Sequence, residues 1–154
     1  EFGVQDVAVT SARLPWDKTR ERLIAARNYW LASLYPDGRI HIIPVWGVWL
    51  DEAFYFTTDA NSQKGRNLAA NPNVALHLDT AEDLVSLDGM AHLVTDQALL
   101  ERVFAAYEVK YDYHLDADLT NPKYRCYQLL PNVAFTWLES DIGDSITRWR
   151  FSTL

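Results

Sequence analysis

The chain has 154 residues, 49% of them hydrophobic and 23% charged, with a formal net charge of −7 at pH 7. This length fits one globular domain, and the acidic balance argues against general nucleic-acid binding, which needs a basic face. No apolar run is long enough to cross a bilayer, so no membrane association is expected. The single cysteine, Cys126, excludes an internal disulfide and by default predicts a reducing, cytoplasmic setting.

The first half of the chain predicts one helix followed by three consecutive strands. Apolar and charged residues interleave at helical spacing from Trp16 to Arg27, and either Asp17 or the Pro15-Trp16 step is a suitable helix start. The predicted strands lie at residues 29–35, 40–50 and 53–58. The turn Pro36-Asp37-Gly38-Arg39 joins the first two strands, because its glycine is free to adopt the positive φ of a tight hairpin.

The second predicted strand, Ile40 to Leu50, has almost no polar face. A strand with one wet face would alternate, so coverage is expected on both sides, by the core and by a partner subunit or bound ligand. Pro44 removes a donor from the strand ladder, and Gly47 indicates a bulge or a close backbone approach. Neither residue favours an ordinary central strand.

The second half predicts two more helices and four more strands. A short helix follows Ser62 and ends near Ala70, and Asp96 caps a longer helix that ends near Tyr111. The strands are predicted at residues 74–78, 84–94, 124–130 and 133–138, with a hairpin around Pro131-Asn132 between the last two. Consecutive strands without a βαβ alternation favour a small barrel over a doubly wound sheet.

A candidate anion site follows the third strand. Thr57 and Thr58 end that strand, and Ser62 begins a helix whose first N–H groups are free donors at a positive dipole end. Lys64 and Arg66 add positive charge, although on a regular helix they point about 200° apart. The alternative is an ordinary capped helix with solvated charges, which the local pattern by itself favours.

Other chemistry finds less support in the sequence. The four histidines are scattered without ligand spacing, so no metal is expected, and the motifs of nucleotide-binding loops and serine hydrolases are absent. Asp112, His114, Asp116 and Asp118 are either ligands of a cation or, as the pattern favours, part of a solvated loop, and Cys126 is interpreted as inert core. Near the end, Arg148, Trp149 and Arg150 alternate as on a strand, either as a salt-bridged edge or as a wall for an anionic ligand.

The order of these features resembles the pyridoxamine 5′-phosphate oxidase-like superfamily, over about residues 16 to 151. The closing Thr147-Arg148-Trp149-Arg150-Phe151 is similar to the deazaflavin-dependent branch, which binds F420. No single motif is specific, and the resemblance rests on order and spacing. The other motifs are Trp30-Leu31-Ala32-Ser33, Pro36-Asp37-Gly38-Arg39, Pro44-Val45-Trp46, Phe54-Tyr55-Phe56-Thr57-Thr58, Ser62-Gln63-Lys64-Gly65-Arg66-Asn67-Leu68 and Asp88-Gly89.

The resemblance implies a mainly β (α+β) fold, a six-stranded antiparallel split β-barrel with a few short flanking helices, in residues 16–154 after an N-terminal extension, 1–15. It also implies a homodimer with two cofactor sites in the clefts between subunits, closed by Arg148 and Trp149 from the partner. The other expected cofactor-binding residues include the hydroxyl and basic side chains of the anion site. They are Pro44, Val45, Trp46, Thr57, Thr58, Ser62, Gln63, Lys64, Arg66 and Asn67.

One departure from the family pattern bears on the cofactor. Pyridoxamine phosphate oxidases place an arginine and a lysine on the second strand, where this chain has His41 and Trp46. Together with the closing motif, this favours F420 over FMN and predicts an F420-dependent oxidoreductase that transfers a hydride between the deazaflavin and a conjugated or heteroaromatic small molecule. No catalytic side chain is predicted. The alternatives are an FMN-dependent oxidase or reductase and a non-catalytic cofactor- or haem-binding module.

Overall fold

The computed structural model describes residues 5–7 and 15–151, so most of the predicted N-terminal extension lies outside the described residues. A short 3-10 helix, Glu139–Asp141, follows the longest strand. The other elements are, in chain order, β1 (Gln5–Val7), α1 (Trp16–Ala25), β2 (Tyr29–Leu34), β3 (Ile40–Val45), β4 (Val48–Leu50), β5 (Ala53–Thr58), α2 (Gln63–Ala70), β6 (Asn73–Leu78), β7 (Asp83–Leu93), α3 (Gln97–Tyr111), β8 (Arg125–Leu138), α4 (Ile142–Ser145) and β9 (Thr147–Arg150).

The fold is a curled, mainly antiparallel half-barrel with a few helices, which confirms the predicted split-barrel class. Six strands of the described sheet have six or more residues, which is the number that the family resemblance implies, and three are shorter. The six are β2, β3, β5, β6, β7 and β8. The strand order is β1-β9-β8-β7-β6-β2-β3, with β5 paired to β8 and β4 paired to β5. All pairs are antiparallel except β1 with β9.

Two apolar clusters stabilise this arrangement. The larger one fills the inside of the curled sheet and includes the fully buried Tyr29, Phe54 and Leu129. In the second cluster, α3 packs against the outer side of β4 and β5, with Val103 and Tyr55 among its buried members. α3 contacts β4 and α2 contacts β2, whereas Ile40 and Ile42 of β3 are exposed on the described chain.

The predicted strand from Ile40 to Leu50 is interrupted. β3 ends at Val45 and β4 begins at Val48, and a Cβ at Gly47 would overlap the Phe54 ring and lie 2.7 Å from the Tyr55 carbonyl oxygen. The close backbone approach predicted for Gly47 is therefore confirmed. β3 lies at a sheet edge with Ile40 67% exposed, so coverage of its second face by a partner or ligand stays a prediction.

The predicted hairpin at Pro131-Asn132 is wrong. β8 runs without a turn from Arg125 to Leu138, and both of its halves pair with β7. The register shifts between Asp88 and Gly89, where a Cβ on the glycine would overlap the Leu130 carbonyl. A proline in the middle of a long strand is tolerated at such a bulge, because the irregular ladder needs no donor there.

The helix predictions hold closely. α2 and α3 end at the predicted Ala70 and Tyr111, and α1 ends at Ala25, two residues before the predicted end. The Ser62 hydroxyl accepts from the Gly65 N–H at 3.0 Å, and the Asp96 carboxylate accepts from the Leu99 N–H at 2.7 Å, so both predicted caps are confirmed. Among the described residues, no helix combines the length and apolar character that crossing a membrane requires.

Candidate functional site

A pocket of about 320 Å³ opens where the β3–β4 break, the end of β5, the start of α2 and the body of α3 meet. The segment that follows α3 closes the remaining side. The pocket is lined by Pro44, Val45, Trp46, Thr57, Lys64, Tyr107, Tyr113, Leu115 and Tyr124. The first five of these are predicted cofactor-binding residues, which the fold brings together from three different segments of the chain.

Lys64 is the basic side chain in the lining of this pocket. It is half-buried at the start of α2, and burial lowers the pKa of its ammonium group. Within the described part of the chain, no carboxylate or hydrogen-bond acceptor partners this ammonium group. A partly buried cation without a partner is costly, and an anionic ligand in the pocket would supply the missing counter-charge.

Hydroxyl groups surround the same end of the pocket. Thr57 lines the pocket beside Tyr107, and burial raises the pKa of Tyr107, an effect that Thr57 partly opposes. Thr58 is buried instead, with its hydroxyl 2.9 Å from the hydroxyl of Ser62. Thr58 and Ser62 therefore hold the β5–α2 connection in place, and of the two predicted threonines only Thr57 lines the pocket.

The other predicted residues of α2 are bonded to one another. Arg66 donates to the Gln63 side-chain carbonyl at 2.8 Å, and Gln63 donates to the Asn67 side-chain carbonyl at 2.8 Å. Asn67 is completely buried and donates to the Ser33 hydroxyl at 3.1 Å. This chain of side chains fastens α2 to β2, and none of its members lines the pocket. Arg66 and Lys64 diverge, as their spacing on a helix predicts.

Arg148 and Trp149 do not line the pocket of their own chain. They lie on β9, which pairs with residues 133–136 of β8, whereas β5 pairs with residues 125–129. The Trp149 ring packs 5.4 Å from that of Trp16, and the Arg148 guanidinium lies 5.2 Å from the centre of the Phe135 ring. A role for Arg148 and Trp149 in closing the cleft of a partner subunit stays a prediction.

The tyrosines in the wall of the pocket were not predicted, whereas Trp46 was. Tyr113 and Tyr124 lie at its mouth with their hydroxyl oxygens 3.4 Å apart, and the Tyr113 ring meets the Trp46 ring edge-on at 6.2 Å. Tyr113 lies near the start of the polar stretch from Asp112 to Lys123, and Tyr124 directly follows it. A tyrosine at each end of this stretch was the available signal. Flat rings opposite an unpaired cation suit a planar, anionic ligand.

Other features of the structure are weaker candidates. A larger depression of about 420 Å³, lined by Leu84, Phe135 and Trp137 among others, has no lysine or arginine in its lining. Cys126 is buried, which raises the pKa of its thiol to about 12 and keeps it unreactive at neutral pH. In residues 5–7 and 15–151, no three histidine, cysteine or acidic side chains are grouped to hold a metal ion.

Solved structures with low sequence identity to this chain have a similar fold. Their similarity is evidence for the fold alone. A conserved hypothetical protein from Mycobacterium tuberculosis superposes with a TM-score of 0.70 at 24% identity, over 87% of this chain and 89% of that one. An F420 reductase gives 0.57 at 24% identity over 74% and 94%. The heme storage protein HutZ from Vibrio cholerae gives 0.62 at 17% identity over 79% and 91%.

Sequence comparison identifies the family. No curated protein matches the chain significantly. A family profile does match: residues 15–138 fit the profile described as pyridoxamine 5′-phosphate oxidase. That match covers most of the chain and agrees with the split-barrel fold found in the structural relatives. The chain therefore belongs to the pyridoxamine 5′-phosphate oxidase-like split-barrel superfamily.

Proposed function

We propose that this chain is an F420-dependent oxidoreductase that transfers a hydride between the deazaflavin and a conjugated or heteroaromatic small molecule. The observation that carries the proposal is Lys64, a half-buried cation without a partner in the described residues, beside the Thr57 hydroxyl in a pocket walled by Trp46. A phosphate on a planar ring system would pair with the lysine and lay its ring along the tryptophan. These residues fit such a cofactor.

The distribution of basic side chains supports an anionic ligand at this place. Five basic residues away from the pocket are paired with carboxylates: Lys18, Arg20, Arg22, Arg39 and Arg102. Four at or beside the pocket have no carboxylate partner among the described residues: Arg27, Lys64, Lys110 and Lys123. In a chain of net charge −7, this leaves a local basic region that favours binding of an anion.

The chemistry that F420 supplies when bound is hydride transfer. In the proposed complex, Lys64 and Thr57 hold the phosphate, and the backbone of Pro44 and Val45 borders the ring. Trp46 and the tyrosines exclude water and orient a flat acceptor beside the ring. Bound F420 would supply the hydride to the acceptor, and the one proton that completes the two-electron reduction would come from solvent at the mouth of the pocket, so no side chain is required as an acid.

A second copy of the chain completes the proposed site. A pocket of about 320 Å³ lies at the lower end of the range for small-molecule sites, so one chain encloses little of a tricyclic cofactor. The outer face that α3 leaves open carries Ile40, Ile42, Met90 and Leu130, which are all exposed. An apolar face of this kind is typical of an interface, and we propose that the partner subunit covers it.

The dimer is tested by sedimentation. We expect the wild type to sediment at twice the mass of one chain and Ile42→Lys to sediment as a monomer, because a charge would be buried at the interface. Val109→Lys is the matched control, since Val109 on α3 is 89% exposed and outside that face. A wild type that is monomeric at micromolar concentration would show that the homodimer proposal is wrong.

FMN is the second candidate cofactor, and the description of the matching family profile favours it. The lining of the pocket favours F420, because β3 supplies no lysine or arginine to it and His41 does not line it. Among side chains that ligate a haem iron, the described lining has no histidine, cysteine or methionine and offers only tyrosines, although one structural relative is a heme storage protein.

A titration with F420 and FMN side by side tests the cofactor. We expect binding of F420 with a micromolar dissociation constant or tighter, followed as quenching of the cofactor's fluorescence, and weaker binding of FMN. A protein that is purified yellow with flavin absorbance would favour FMN. Tight binding of either cofactor without hydride transfer to a broad panel of acceptors would favour a carrier role. If neither cofactor nor haem binds, the proposed function is wrong.

A further inference from the structure

Side chains of α3 hydrogen-bond to the backbone of the β3–β4 break. The Tyr107 hydroxyl donates to the Trp46 carbonyl at 2.8 Å, and the Lys110 ammonium donates to the Gly47 carbonyl at 2.9 Å. The Tyr111 hydroxyl accepts from the Gly47 N–H at 2.9 Å. Three residues of one helix therefore bond to the two residues at which the predicted long strand is broken.

The Trp46 ring is oriented by the same helix. It stacks on the Tyr111 ring with the ring centres 4.4 Å apart and an angle of 6° between the planes. The Arg27 guanidinium lies 5.4 Å from the Trp46 ring centre and 5.5 Å from that of Tyr111. Trp46 is 37% exposed and lines the pocket, whereas Tyr111 is buried and does not line it. Aromatic stacking of this kind fixes the plane of the wall that faces a ligand.

Lys110 has an unusual environment for a cation. Its ammonium group also donates to the Tyr29 hydroxyl of β2 at 2.8 Å, and it lies 4.8 Å and 5.3 Å from the ring centres of Tyr29 and Tyr111. Burial and the nearby charge of Arg27 lower the pKa of Lys110 to about 8. No carboxylate pairs with it in the described parts of the chain. Its hydrogen bonds go instead to the Gly47 carbonyl at the break and to the Tyr29 hydroxyl in the barrel wall.

We infer that Lys110 and Tyr111 are positioning residues, which line no part of the pocket and set the orientation of Trp46 and with it the wall that receives the ring of the ligand. The part of this inference that concerns a ligand rests on the proposed function. The part that concerns Trp46 does not, because it follows from contacts within the chain. The affinity of the pocket for the ring of the ligand then depends on side chains of α3, and its affinity for the phosphate of the ligand depends on Lys64 of α2.

The orientation of Trp46 is tested without any ligand. The chain has six tryptophans, and in protein labelled with 5-fluorotryptophan the ¹⁹F resonance of Trp46 is assigned by its loss in Trp46→Phe. We expect Tyr111→Leu and Lys110→Met to shift the Trp46 resonance and leave the other five in place. Lys110→Arg should restore much of the wild-type position, since it keeps a cationic donor.

Two further variants keep this test decisive. Tyr111→Phe keeps the ring stack and loses the hydroxyl, so we expect a smaller shift of Trp46 than in Tyr111→Leu, and this variant serves if Tyr111→Leu does not fold. Val109→Ala, on the exposed side of the same helix, should change no resonance. An unchanged Trp46 resonance in folded Tyr111→Leu, Tyr111→Phe and Lys110→Met would overturn the inference.

The ligand part is tested by comparing a cofactor with its phosphate-free form. We expect Tyr111→Leu to raise the dissociation constants of F420 and of its phosphate-free riboside by the same factor, about two- to tenfold. Lys64→Ala should raise only that of F420. Equal affinities of wild type and Tyr111→Leu for the riboside would contradict the ligand part. If the wild type binds neither F420 nor FMN, the proposed function fails, and the resonance of Trp46 still decides whether Lys110 and Tyr111 position it.

Discussion

The helices α2 and α3 both border the pocket, but they use their side chains in opposite ways. The sequence concentrates candidate ligand-binding residues on α2. In the structure, Gln63 hydrogen-bonds to Asn67, and Asn67 hydrogen-bonds to Ser33 of β2. Of the residues on α2, only Lys64 lines the pocket. No residue of α3 is predicted from the sequence to bind a ligand, yet its Tyr107 lines the pocket and its Lys110 bonds to the β3–β4 break. A residue type suited to a ligand is informative only when its partners inside the fold are known.

The largest expected effect concerns the point where α3 meets the sheet. Gly47→Ala places a methyl group against the Phe54 ring and 2.7 Å from the Tyr55 carbonyl oxygen, so the break must move. We expect the free energy of unfolding, measured in urea, to fall by about 3 kcal/mol. Gly143→Ala is the control, since its added Cβ meets nothing within 4 Å. A Gly47→Ala variant of wild-type stability would contradict the role of this contact.

The next effect separates Lys64 from the rest of α2. Lys64→Ala removes a charge-assisted contact with the cofactor phosphate, so binding should weaken by about 1.5–3 kcal/mol, with the fold intact. Fluorescence titration with F420 measures the dissociation constant. Lys18→Ala is the charge-matched control, because Lys18 is exposed and paired with Glu21 at 3.6 Å. If Lys64→Ala leaves the dissociation constant of F420 unchanged, the assignment of the cofactor phosphate to this site is wrong.

Asn67 sharpens the same contrast from the other side. Asn67→Ala leaves the buried Ser33 hydroxyl and the Gln63 side chain without their partner, so the free energy of unfolding should fall by about 1–2 kcal/mol. Cofactor affinity of the folded protein should stay close to that of the wild type. Both quantities are measured on one preparation, by urea denaturation and by titration. Loss of affinity at unchanged stability would place Asn67 in the site, as the family resemblance implies.

The smallest expected effect is a pH dependence at Lys110. Its pKa of about 8 in the folded chain lies below the ordinary value of 10.5, so between these values the unfolded chain binds more protons. The free energy of unfolding of the wild type should therefore rise with pH in this window relative to Lys110→Met, and the difference should be constant below about pH 7. Urea denaturation at pH 7, 8, 9 and 10 measures it. Lys18→Met, at an exposed site, should show no such change.

Much of the architecture could be predicted because it depends on local patterns. β5, α2 and α3 have the predicted bounds, and the caps at Ser62 and Asp96 depend on bonds that span three residues. The hairpin at Pro131-Asn132 failed for a related reason. Pro-Asn is a common turn signal, and only the pairing of both halves of β8 with β7 reveals a bulge instead.

The sequence by itself determined the family, the class of sheet and three of the segments that border the pocket, at Pro44 to Trp46, Thr57 and Lys64, since these follow from periodicity, turn residues and the order of motifs. The tertiary structure decided which side chains face a ligand. The bonds from Tyr107 to Trp46 and from Gly47 to Tyr111 join residues 61 and 64 positions apart, and no local pattern encodes such pairs. Whether a polar side chain is available to a ligand depends on whether neighbouring residues already satisfy its hydrogen-bonding groups. The different surroundings of Lys64 and Asn67 on one helix demonstrate this.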